Sequence, residues 1–147
     1  MILHQHDLIL RPIIGPDELD LFNSVPYVLN DEVGGDLAAG RRRPEWLWLA
    51  LRGDRVVARA GWWSRAGDPH PLLMDIFDVD SGTEDGVRLL TTALPAVVPA
   101  SATPPEYVRF LSANWREDQR ARQAVRDRME ALERAGARLF VERLRLE

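Results

Sequence analysis

At 147 residues, 46% apolar and 29% charged, the chain has the size and composition of one globular domain, able to bury roughly two thirds of its unfolded surface. A formal net charge of -4 argues against a general nucleic-acid binder, which needs an uncancelled basic footprint. No cysteine is present, so disulfides, thiolate zinc sites and a cysteine nucleophile are excluded. All 19 basic residues are arginine, which excludes a Schiff-base or general-base lysine.

Residues 1–7 have neither the basic region nor the long apolar core of a signal peptide, and no stretch approaches the roughly 18 apolar residues of a membrane span. A cytoplasmic protein is expected. His4, His6 and Asp7 are metal-ligand types, but three polar residues at a terminus are usually solvated, and no metal is expected.

In chain order, the apolar run 8–13, ended by proline, predicts an edge strand. Segment 16–24 predicts a short helix, with Pro16 at its first position, Asp17 and Glu18 at the positive end of its dipole, and Leu19 and Phe22 on one face. Over 25–44, Pro26, Gly34, Gly35 and Gly40 interrupt any long period. One irregular helix within a loop is expected, as the substrate-facing element. Arg41, Arg42 and Arg43 close that loop; they would attract an acidic group, or else be solvated.

The runs 46–51 and 55–63 flank Gly53-Asp54 and predict a hairpin whose tryptophans, Trp46, Trp48, Trp62 and Trp63, either pack the sheet or line an apolar pocket. Segment 72–79 predicts another strand. Val87, Leu90 and Leu94 give the next helix an apolar stripe that Pro95 should stop or kink. Segment 107–111 predicts a strand. Asn114-Trp115-Arg116-Glu117 has the form of a capping box for the longest helix, with Ala121, Val125, Met129 and Leu132 on one face, arginines on the other and Gly136 at its end. Segment 138–146 predicts a closing strand with a bulge near Glu142.

This order, with Gly86-Val87-Arg88-Leu89-Leu90 after the central strand and Leu132-Glu133-Arg134-Ala135-Gly136 at the end of the last helix, resembles the GNAT superfamily of acetyl-CoA-dependent N-acetyltransferases. The arginine-rich helix running into residues 138–144 also looks like the N-terminal module of bacterial tandem acetyltransferases. The resemblance implies an α+β fold with a mixed, mostly antiparallel sheet flanked by helices. One strand fewer than usual follows the last helix, which fits a piece of a longer two-domain protein or a strand borrowed from a partner.

It also implies a site. Acetyl-CoA would be the cosubstrate and an amine, on a small molecule or a protein, the acceptor. The backbone around Ile76, Phe77 and Val79 would pair with the pantetheine arm, while Ser81, Gly82, Thr83 and Gly86 would approach the pyrophosphate. Asp78 or Asp80, on one strand face with Ile76, would assist deprotonation of the amine; solvated strand-end acids are the alternative for these two and Asp75.

The loop departs from the family pattern. Ser81 stands where the family has Gln or Arg, Glu84 replaces the middle glycine, and Leu132 replaces the tyrosine that protonates the departing thiolate. A carboxylate about 6 Å from a phosphate charge opposes binding by roughly 3 kcal/mol at an effective dielectric of 20. As a dipole partner for the helix it contributes only about 0.3 to 1 kcal/mol. Two hypotheses follow: an N-acetyltransferase with a degenerate loop, or a non-catalytic module that supports a second catalytic domain or forms a homodimer through its sheet edge.

Overall fold

Alternation along the hairpin strands builds two cores on one sheet. In the computed structural model, which describes residues 7–80, 82–136 and 143–146, six strands lie in the order of the sequence. They are β1 (Leu8–Pro12), β2 (Leu47–Arg52), β3 (Arg55–Trp63), β4 (Leu73–Val79), β5 (Glu106–Leu111) and β6 (Arg143–Leu146). The first four are antiparallel neighbours, and β5 and β6 are each parallel to the strand before. Gly53 takes a left-handed φ of 63° between β2 and β3, as a tight turn requires.

Successive side chains on a strand point to opposite faces. Trp48, Ala50, Ala60, Trp62 and Phe77 therefore pack beneath α3 (Glu84–Val97) and α4 (Gln119–Arg134). Leu47, Leu49 and Ile76 pack beneath α1 (Leu19–Phe22) and α2 (Asn30–Ala39). The result is an α+β domain with a mixed sheet between two helical layers. Trp46, Trp48 and Trp62 are buried in the first core, so packing rather than pocket lining is their role.

Three local expectations change. The helix does not stop at Pro95: α3 continues to Val97, and the amide of Val98 still donates to Leu94 O at 2.8 Å. Proline removes only its own donation to the carbonyl of Thr91, a residue exposed on the solvent side. The capping box at Asn114 is not formed, because Trp115–Glu117 is a separate 3-10 turn. Asp118 caps α4 instead, accepting from the amides of Arg120 at 2.9 Å and Ala121 at 3.4 Å. Arg128 leaves the arginine-rich face and is buried. The bulge expected near Glu142 lies outside the described residues.

The edge strand is fastened through one carboxylate. Glu18 accepts from Arg11 at 2.7 and 2.8 Å and from the amide of Ile14 at 2.8 Å. Arg11 foremost, and then the Ile14 amide, hold its carboxyl at about 2, below the ordinary 4.5. A depressed folded-state pKa gives stability that is present above the ordinary value and is lost as pH falls toward the folded one. Glu18→Gln should therefore flatten the acid limb of a stability–pH curve between 4.5 and about 2; identical limbs for the two proteins would show that the clamp is not formed in solution.

Candidate functional site

β4 and β5 run parallel but pair at two positions only, Leu73 with Glu106 and Met74 with Tyr107. Beyond them the strands part, and side chains take up their backbone groups. The amide of Glu106 donates to Leu72 O at 3.2 Å. Four residues on, the amide of Phe110 points to the same edge by the period of two, yet it donates to the Tyr27 hydroxyl at 2.8 Å. From the other side, the carbonyl of Phe77 in β4 accepts from Arg109 Nη1 at 3.2 Å.

Arg109 and Tyr27 thus form a stacked wedge. The guanidinium carbon lies 3.8 Å from the Tyr27 ring centroid, a contact worth about 0.5 to 2 kcal/mol. Alternation starts the Arg109 side chain on the face of Tyr107, beneath α4. Its guanidinium ends against Tyr27 and Asp78, on the face of α1, so the side chain passes through the gap. Tyr27 is fixed in turn by the connection between α1 and α2. There the Asn23 and Asn30 side-chain amides donate to each other's carbonyls at 3.2 and 3.3 Å, and Asn30 also donates to Val25 O at 2.8 Å.

Asp78 joins the wedge to the sheet. Its Oδ1 accepts from Arg109 at 2.9 Å and its Oδ2 from Arg59 Nε at 2.8 Å. Arg59 is fully buried; it also donates to Phe22 O at 2.9 Å and lies over the Phe22 ring. Burial pushes the Arg59 guanidinium below its ordinary value, and Asp78 works against that shift. Both oxygens of Asp78 are thus taken by guanidiniums, and the carboxylate is a buried bridge between β3, β4 and β5. It is not a solvated strand-end acid. Asp75 likewise is bound, by Arg42 at 2.8 Å through both oxygens. Buried Arg42, expected to be solvated or to attract a ligand, spans Asp75 and Asp36. Only Asp80 is exposed, and it pairs with Arg55.

The loop residues divide. Ile76 and Phe77 are fully buried, on opposite faces. Ser81 lies outside the described residues, as do His4 and His6. Gly82 is exposed with a φ of 69°. Thr83 precedes α3 but makes no side-chain cap; its hydroxyl donates to Glu130 at 2.8 Å and accepts from Arg134 at 3.1 Å. Glu84 pairs with Arg134 at 3.0 Å and Asp85 with Arg52 at 2.7 Å. The two acids at the positive end of α3 are thus tied to neighbouring elements. Leu132 is buried in the core between α3 and α4 and offers no proton.

Two cavities flank the wedge, about 530 Å³ on the β5 side and about 610 Å³ on the β4 side, and Pro26, Arg109, Ala124 and Arg128 line both. Among the described residues no group of three or more potential metal ligands occurs, and no helix is long and apolar enough to cross a membrane. Comparison with protein-family models, curated proteins and solved structures finds no match.

Sequence reasoning missed Tyr27, Arg59, Arg109 and Arg128 as site residues. Arg59 did carry a signal: a charge inside the apolar run Val56-Val57-Ala58-Arg59-Ala60 requires a buried partner.

Gly86 has a packing role that the loop alignment does not anticipate. A Cβ there would lie 2.7 Å from Val79 Cγ2, 3.1 Å from Phe77 Cζ and 3.3 Å from Ala131 Cβ, so glycine lets α3 sit on the sheet and α4 on α3. Gly86→Ala should reduce stability by about 1 to 3 kcal/mol in urea denaturation; an unchanged midpoint would return the glycine to a ligand-contact role.

Proposed function

We propose that this chain is a GNAT-like module that does not transfer acetyl groups on its own, and that it supports a second catalytic domain or a second copy of itself. The observation that carries this reading is the Tyr27–Arg109 wedge. A pantetheine arm lying along β4 would take main-chain partners beside Phe77, where the carbonyl already accepts from Arg109. Opening the slot requires breaking that bond, the ion pair to Asp78 and the stacked contact together. Glu84 adds to the obstacle less than its charge alone suggests, because Arg134 partly neutralises it; such an exposed pair is worth about 0.2 to 1 kcal/mol.

Element order, with a strand, loop and helix at the centre, supports the likeness to acetyltransferases; β4 and β5 also diverge beyond their two paired positions. That divergence, with the cavity on the β4 side, favours a second reading, in which the wedge swings away and acetyl passes from acetyl-CoA to an amine by direct attack. In that reading Asp80 is the carboxylate left free of buried guanidiniums to assist deprotonation.

A calorimetric titration with acetyl-CoA separates the two. The closed-slot reading predicts no heat of binding and no shift in melting temperature up to millimolar ligand, whereas micromolar binding would establish a working cosubstrate site.

A further inference from the structure

Two buried charge clusters differ in their balance. Around Arg42, the cations Arg41 and Arg42 meet the anions Asp36 and Asp75, and the sum is zero. Around the gap, Arg59 and Arg109 share Asp78, and buried Arg128 adds a third cation, so among the described residues three positive charges stand there against that one buried carboxylate. Arg128 is buried near the Tyr107 hydroxyl; among the described residues no carboxylate lies within ion-pair distance of it. At the mouth of the β4-side cavity Arg55 and Asp80 cancel each other, and Asp54 is exposed on the rim.

The geometry of the donors is also unbalanced. Arg109 spends Nη1 on Phe77 and Asp78. Its Nε is buried without a partner, and Nη2 makes no hydrogen bond among the described residues. That leaves vacant the Nε–Nη2 edge, the planar fork that grips a carboxylate or phosphate through two parallel bonds. Arg109 and Arg128 line the same two cavities and both act on the Tyr107 hydroxyl, opposing the rise that burial gives it.

We infer that the gap between β4 and β5 is a receptor for a small oxyanion, a carboxylate or a phosphate, held by Arg109 and Arg128. A buried charge without a counter-ion is unfavourable, so an anion that enters with its own negative charge relieves the native state of that imbalance and stabilises it by mass action. This goes beyond the proposed function and rests on charge balance, not on the fate of acetyl-CoA.

The test uses the full chain, with inorganic phosphate and malonate as probes and sodium chloride at matched ionic strength as the control. One-site saturation by either probe in calorimetry is expected, with a melting temperature that rises with the probe and not with chloride; the tighter probe identifies the ligand chemistry. Arg128→Met should weaken that binding by roughly ten-fold or more. Arg128→Lys, which keeps the positive charge, should stay folded and bind at an intermediate level. Failure of both probes to saturate, or a folded Arg128 variant that binds as tightly as the original chain, would overturn the inference. Acetyl-CoA binding by itself would contradict the closed-slot reading, while the phosphate and malonate arms decide this one.

Discussion

The arrangement at the centre of this domain depends on one carboxylate, Asp78, shared between two guanidiniums. Arg59 stands directly opposite it in the β3–β4 register, and Arg109 reaches it across the gap from β5. Without Asp78 the like charges of Arg59 and Arg109 would repel, one of them fully buried. With it, Arg109 is held where it can stack on Tyr27 and bond Phe77. The filling of the gap between β4 and β5 is held in place by that bridge.

The same bridge is the physical basis of the closed-slot proposal. Main-chain groups at a strand divergence can be satisfied by a ligand, by water or by side chains. Here side chains do it on both strands: Arg109 for β4, Tyr27 for β5. The helix that follows β4 adds its own closure, since Glu84 and Asp85 are drawn to Arg134 and Arg52 and Gly86 serves close packing. What stays open includes the β5-side cavity, whose lining carries Arg109 and Arg128 and no carboxylate, the chemistry that a compact anion would use.

Much of the architecture was legible in the sequence. Gly53-Asp54 between two apolar runs gave the hairpin, and periodic Val87, Leu90 and Leu94 gave α3. Period and turn chemistry are local, and local patterns survive tertiary context. The charged residues were not legible in the same way. Arg42 and Arg109 read locally as surface arginines, while their partners lie far along the chain: Asp75 is 33 residues from Arg42, and Asp78 is 31 from Arg109. Burial of a charge is decided by what the topology brings beside it. At Asn114 the difference is local: Trp115–Glu117 closes a separate 3-10 turn, and Asp118 caps α4 one turn later.

Equilibrium unfolding of Asp78→Asn tests the central claim most directly. The substitution keeps the shape and removes the charge that both guanidiniums share, and a broken buried ion pair with an uncompensated partner destabilises by about 3 to 5 kcal/mol. A loss in that range, largely recovered when Arg59 and Arg109 are also replaced by methionine, is the predicted result. A loss under about 1 kcal/mol, typical of an exposed pair, would contradict the account.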